Sequence, residues 1–462
     1  GASGTFERNG RNVLVKTGVY DLRLFRDGQL AAQMPRAAYE PSDAQTQAQE
    51  LRRWRGTHKI MDFETGKKTL TFRGIRLPRR SGLKEVEFSA YAFNEDRVKS
   101  STARTGFAIP KDLPRRRGNA YVIAVGVNAY ENSDWDLHYA ARDARYFSDV
   151  LKPLLEKSRD YRDVVSVQLI SDWAVQKGKR AVVFRDATKA KFKAVLDLLA
   201  GRTVDPALRS TIPHAEKMQP ALPEDLVLIA FSSHGYADTA GVFYLFPYDI
   251  GSQARGKVGP ELLRRTISSE ELSDWMQPID AGEMVLVIDA CHSAASVEGT
   301  GFKPGPMGAR GLGQLAYDKG MRILASTRAD DVALESALTK QGLLSYALVK
   351  DGLNEKRADF DPRDKRILLP EWLNYGVKRV PELYDEVRSG RVKGAEGKDA
   401  RLAAYRRGVK VDYEAPGEGD TEVQQPSLFD FRRAVTYEPV IMRAAGQSTS
   451  ESHEKRPRKI SK

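Results

Sequence analysis

The stretch Leu226-Val227-Leu228-Ile229-Ala230-Phe231-Ser232-Ser233-His234-Gly235 decides the fold. Six apolar residues in succession predict a strand buried on both faces, as in a parallel sheet covered on both sides by helices. A second run has the same form: Met284-Val285-Leu286-Val287-Ile288-Asp289-Ala290-Cys291-His292-Ser293. Both apolar runs end abruptly in polar, reactive side chains. In parallel α/β sheets, ligands sit outside the carboxyl ends of the strands. The two endings are therefore where a site is expected.

The pattern continues on either side of these runs. Residues 120–127, 164–170 and 321–325 read as further apolar strands. Helical spacing marks 137–154, 189–199 and 343–353, and Ser268-x-x-Glu271 reads as a capping box. Strands alternating with helices imply a mostly parallel α/β sheet over residues 119–412. Ahead of it, 13–15, 20–25, 69–72 and 86–93 have strand composition, with Asp27-Gly28 as a hairpin turn and helical composition over 41–55. A small β-sandwich is expected over 4–107. Residues 108–118, with two prolines and Arg115-Arg116-Arg117, read as a linker. Residues 413–450 are expected to be an extension partly packed on the core through Leu428, Phe429 and Phe431. Residues 451–462 are expected to be a basic disordered tail.

The chain has 462 residues, 41% hydrophobic, with mean hydropathy -0.49. No run of about 18 apolar residues is present, so no transmembrane helix or membrane partner is expected. No signal-peptide pattern opens the sequence, and the expected location is the cytoplasm. The single cysteine, Cys291, excludes an intrachain disulfide framework, a CxxC pair and a multi-cysteine zinc site. The net charge of +12 is unevenly spread. Residues 1–118 hold 24 Lys+Arg against 13 Asp+Glu, and 451–462 hold 5 against 2, so 119–450 carries 12 − 11 − 3 = −2. A basic attachment is compatible with an acidic partner or nucleic acid. However, no aromatic–basic interleaving is present, so nucleic acid is not the expected partner.

A thiol at a strand end becomes a nucleophile when a base or cation makes it a thiolate. His234 is the natural base, and the backbone N–H groups of Gly235 and Cys291 are candidates for an oxyanion hole. Taken singly, a lone cysteine is more often a small core residue. His292 adjoins Cys291, but successive strand side chains face opposite ways, so His234 is preferred. The other histidines, His58, His138, His214 and His453, have no motif and read as surface groups. Asp289 lies two residues before Cys291 and Ser232 two before His234, so each shares its neighbour's face. An acid beside the nucleophile favours a basic substrate side chain, since Arg binds carboxylates bidentately. No phosphatase loop is formed, because position 297 is Val297 rather than Arg.

The order His then Cys, 291 − 234 = 57 residues apart, matches the caspase pattern. Ser232-Ser233-His234-Gly235 with Asp289-Ala290-Cys291-His292-Ser293 resembles the caspase-like cysteine peptidases, closest to the metacaspase and bacterial orthocaspase branch. The resemblance covers about 119–430 and includes Phe246-Pro247-Tyr248-Asp249 and Pro426-Ser427-Leu428-Phe429-Asp430-Phe431. It implies a Cys291–His234 dyad, cleavage after Arg and then Lys, and a pocket of Asp143, Asp289 and Ser232. The β region resembles the immunoglobulin-like attachments of bacterial homologues, which could bind a regulatory partner, occlude the site or anchor the enzyme. The Gly-rich 296–314 segment lies where the family carries an intersubunit loop, so Lys303 and Arg310 are processing candidates, with Arg117 in the linker a third. Either self-cleavage or an upstream activating protease would act there. No cofactor is expected. Calcium is not favoured, because Asp238 and Asp249 after His234 are not part of a dense acidic run. The expected substrates are proteins or peptides with exposed Arg or Lys, in stress, cell-death or defence responses. The competing readings are a catalytically silent scaffold of this fold and a protein that binds nucleic acid or a partner through its basic ends.

Overall fold

The computed structural model describes residues 3–8, 11–35, 47–61, 67–238, 242–252, 258–290, 312–327, 334–336, 339–389, 391, 404–406, 423–432 and 437–443. Cys291, His292, Lys303, Arg310 and His453 lie outside them.

Strands β1 (Ser3–Arg8) and β2 (Arg11–Lys16) form a two-stranded ladder. A separate antiparallel sheet follows, with β3 (Val19–Arg26), β4 (Gln29–Met34), β5 (Lys59–Met61), β6 (Glu85–Phe93) and β7 (Ala103–Ala108). Its order is β4-β3-β6-β7, with β5 beside β3. The Asp27-Gly28 turn takes positive φ at both residues, 49° and 78°, the form that matches strand twist in a two-residue hairpin. Helix α1 (Gln47–His58) packs Trp54 against Tyr20 and Phe93. The expected sandwich is thus not seen as such: among the described residues, one sheet buries its aromatic face under a helix. Residues 69–72 are irregular rather than a strand.

The central sheet is built from β8 (Ala120–Val127), β9 (Val164–Gln176), β10 (Lys179–Arg185), β11 (Leu226–Ser232), β15 (Glu283–Asp289), β16 (Arg322–Ala325) and β17 (Ser427–Asp430). Its seven strands lie in the order β10-β9-β8-β11-β15-β16-β17. β8, β9, β11, β15 and β16 are parallel, while β10 and β17 close the edges antiparallel. Three short strands beyond β11, β12 (Gly235–Ala237), β13 (Phe243–Leu245) and β14 (Ile267–Ser268), make a small antiparallel sheet. Alternate strand residues feed two cores. Tyr121, Ile123, Val227, Ile229 and Leu286 face one side, whereas Val122, Ala124, Leu228, Val285 and Val287 face the other. Helix α3 (Lys189–Ala200) and the Ser269–Met276 helix cover the first core. Helix α2 (Ala140–Ser158), the helical segment over 343–354 and the Leu369–Arg388 helix cover the second. The result is a mixed α/β architecture with a mostly parallel sheet flanked by helices. Phe429 and Phe431 pack on the first core and Leu428 on the second.

The N-terminal sheet attaches at the amino ends of the central strands. Arg23 pairs with Asp318 (2.8 Å) and Arg26 with Asp280 (2.9 Å). The Gln29 amide donates to the carbonyls of Gly282 and Lys319. Arg80 donates to the Glu224 carbonyl, and Arg116 pairs with the Glu224 carboxylate (2.8 Å). Each partner lies just before β11, β15 or β16. His234 and Asp289 are at the opposite ends of those strands, so these contacts do not occlude the site. They also give several N-terminal arginines partners within the chain.

Asp225 sits at this amino end, fully buried, and accepts from the N–H groups of Asn119 (2.7 Å) and Leu222 (2.9 Å). Burial outweighs these bonds and pushes its carboxyl up to about 6. A raised folded value means the stabilisation is present in acid and lost as pH rises from about 4 through about 6. The stability of wild type relative to Asp225→Asn should therefore fall over that window, by on the order of 3 kcal/mol. Urea titrations of both proteins at a series of pH values measure this. A pH-independent difference would contradict it.

Candidate active site

The candidate site is built at the carboxyl ends of β11 and β15. These strands pair in parallel, with Ser232 opposite Asp289 and Gly126 of β8 on Ser232's other side. The two sequence motifs are therefore neighbours in space. β15 delivers the chain toward Cys291, and its exit is fixed by Ser326: the Ser326 N–H donates to the Ile288 carbonyl (2.9 Å) and its hydroxyl to the Ala290 carbonyl (3.0 Å).

His234 is fully buried among Tyr130, Trp135 and Phe246. Its Nε2 lies 2.7 Å from the Trp135 carbonyl oxygen. A carbonyl oxygen only accepts, so this contact assigns the proton to Nε2 and leaves Nδ1 the basic nitrogen of the neutral ring. The Tyr130 hydroxyl accepts from the backbone N–H of His234 (3.1 Å). Trp135 is held by a 3-10 turn, Ser133–Trp135, capped by Asn132, and its indole packs on Phe246. The Phe246 N–H donates to the His234 carbonyl, and Gly235 is opposite Leu245. This register puts the ladder bonds on either side of Gly235 and turns its own N–H away from β13.

Asp143 lies in the first turn of α2 and is buried. Gly126 allows that turn to approach the strand end: a Cβ there would lie 2.5 Å from the Ala140 carbonyl oxygen and 2.7 Å from the Ala144 Cβ. The Asp143 carboxylate accepts from the Gly342 N–H (3.0 and 3.2 Å to its two oxygens). Three residues on, the Ser345 hydroxyl donates to the Asp289 carboxylate (3.0 Å). One short segment therefore binds both acids, and α2 and β15 present them together. A third buried acid, Glu335, accepts from the N–H groups of His138 and Tyr139 (3.1 Å each), satisfying donors at the start of α2.

Sequence reasoning named His234, Asp143, Asp289 and Ser232, and all four lie at this end of the sheet. It missed Trp135, Tyr130, Glu335, Gly342 and Ser345. Trp135 acts through its carbonyl, which leaves no trace in residue type, and Glu335 acts across nearly 200 residues. His138 is half-buried, edge-on to Trp173, rather than a surface group, and burial lowers its pKa. His58 is half-buried and stacked on Trp54, with the same consequence. His214 is exposed, as expected. Asp249 accepts from the Lys189 N–H at the start of α3, while Asp238 accepts from the Val242 N–H and the Tyr244 hydroxyl. Among the described residues no group of three or more His, Cys, Asp or Glu side chains could hold a metal. No described helix is long and apolar enough to cross a membrane.

No protein-family model and no curated protein matches the chain. Among solved structures, the structure of pro-sf-caspase-1 is similar at 10% identity, covering 69% of this chain and 90% of that chain, with a TM-score of 0.31. A likeness that loose leaves the architecture to be judged from the strand order itself.

Proposed function

We propose that the chain is a cysteine endopeptidase that cuts after Arg, and less readily after Lys, using Cys291 as nucleophile and His234 as base. The observation that carries this reading is the buried His234, whose Nε2 sits on the Trp135 carbonyl beside the strand leading to Cys291. In this reading His234 Nδ1 takes the thiol proton, and the Cys291 sulfur attacks the scissile carbonyl. The N–H groups of Gly235 and Cys291 then bind the oxyanion. His234 returns the proton to the leaving amine, and water, activated by the same nitrogen, releases the acyl group. Protein or peptide substrates with exposed Arg or Lys fit this chemistry. Processing at Lys303, Arg310 or Arg117, by the chain itself or by another protease, belongs to the same proposal. Arg117 is exposed, but the neighbouring Arg116 is tied to Glu224, and the contacts of Arg23, Arg26 and Gln29 would keep the N-terminal sheet attached after a linker cut.

Asp143, Asp289 and Ser232 are proposed to line the pocket for the basic side chain. Two buried carboxylates tied to one turn offer the charge and planar acceptors that guanidinium prefers over ammonium. Because each already accepts an internal hydrogen bond, a purely structural role is the competing reading. Asp289→Asn separates the two, since it keeps an oxygen for Ser345 and removes only the charge. The pocket reading expects kcat/KM on an Arg-P1 fluorogenic peptide to fall about 30-fold or more, the equivalent of ~2 kcal/mol, with the midpoint of thermal unfolding little changed. Unchanged Arg-P1 turnover would remove Asp289 from the pocket.

A further inference from the structure

The two halves of the proposed site lie on opposite faces of the central sheet. Val285 and Val287 of β15, with Leu228 and Ala230 of β11, point into the second core, and strand alternation carries Asp289 and Ser232 to that face. Asp143 stands on α2, which covers the same core. His234 is instead caged by Tyr130, Trp135 and Phe246, all members of the first core. A peptide whose Arg side chain enters the pocket therefore crosses the strand ends. The amine that His234 protonates departs over the first-core side.

On that side β12 continues the chain directly from His234. The Phe246 N–H donates to the His234 carbonyl, and the Asp238 N–H to the Val242 carbonyl. With Gly235 opposite Leu245, this register points the N–H and C=O groups of Gly235 and Ala237 away from β13. No described strand lies along that edge. Alternation puts Tyr236 on the face of His234, and Tyr244 on that of Phe246. Tyr236 stands opposite Tyr244, with ring centroids 6.2 Å apart and planes tilted by 32°. Both rings are half-buried and pack against the first core. The Tyr244 hydroxyl donates to the Asp238 carboxylate (3.0 Å), which orients the ring.

We propose that Tyr236 and Tyr244 form a shelf for a large apolar or aromatic side chain on the second residue after the cut. The assignment rests on the peptidase reading above. A substrate that gives its scissile carbonyl to the Gly235 N–H can run parallel to β12, with the Gly235 carbonyl accepting from the second leaving-side N–H. The first leaving-side residue then falls opposite Gly235, which has no side chain, and the second opposite Tyr236. An antiparallel course would send the leaving peptide back along Ser233, which is fully buried. The tyrosine rings offer an apolar side chain area and an aromatic one stacked or edge-on contact.

The test compares two internally quenched peptides on the full chain, both with Arg before the cut and with either Phe or Ala as the second residue after it. The wild type should favour Phe about tenfold or more in kcat/KM. Tyr236→Ala should bring the Phe:Ala ratio to within about threefold of unity, and Tyr236→Phe should keep it. Because the ratio is taken within each variant, a lower folded fraction cancels. A preference that survives Tyr236→Ala would overturn the proposal. An Arg-coumarylamide, whose leaving group has no second residue, separates the two readings. If the wild type hydrolyses it and shows a Phe:Ala ratio near one, the shelf falls and the peptidase stands; if it hydrolyses neither coumarylamide nor peptide, both fall.

Discussion

His234→Ala is expected to lower kcat/KM on an Arg-P1 peptide by about 10²- to 10⁴-fold, the range for loss of a positioned acid–base group. The argument starts from burial. An imidazole with no solvent contact, tilted against Tyr130 and edge-on to Trp135 and Phe246, has one available orientation. The Trp135 carbonyl fixes its tautomer, so the nitrogen left to act is Nδ1. Alanine removes that nitrogen and leaves a cavity among three aromatic rings. His234→Gln, which fills more of the space, separates chemistry from packing. Both variants should show this loss, and the glutamine variant should unfold closer to wild type. Activity within about tenfold of wild type in either would remove His234 from the dyad, since a general base contributes at least ~10².

The largest expected effect on stability is at Arg322. Its side chain is fully buried at the start of β16, paired with Glu283 (2.7 Å), Glu438 (2.9 Å) and Asp430 (3.4 Å). Glu283 begins β15 and is itself buried, and Arg432 approaches it at 3.4 Å. Burial alone would raise the Glu438 pKa, and the Arg322 charge opposes that rise. Arg322→Ala leaves these carboxylates without their central cation and should cost about 3–5 kcal/mol, read as a shifted urea midpoint. Arg322→Met with Glu283→Gln removes opposite charges together and should cost clearly less than the sum of the two single changes. Additive losses would show that the cluster does not act as a unit.

The sheet was legible because its strands are long apolar runs. Residues 226–231 and 284–288 are buried on both faces, and such strands announce themselves by composition. Their polar endings carry His234 and Asp289, which the structure brings to the same end of the sheet. β10 was missed for the opposite reason: 179–185 is half-exposed at an edge and carries three basic residues, so it reads as a loop. The Leu369–Arg388 helix was hidden by Pro370 and Pro381, although the first stands in the opening turn, where its missing N–H costs nothing. Apart from 69–72, the N-terminal region has the strands expected of a sandwich, but strand composition does not say what covers them, and α1 does so. The partners of His234 and Asp143 could not be read, because Trp135 supplies a backbone oxygen to the first and Gly342 a backbone N–H to the second. Ser345 and Glu335 reach their partners only through the folded chain.

The most direct measurement is a P1–P4 peptide-library profile of the full chain against its Cys291→Ala variant. The account predicts cleavage after Arg, with Lys second, in the wild type and none in the variant. Cleavage after Asp, cleavage that survives Cys291→Ala, or no cleavage by the wild-type chain would contradict it.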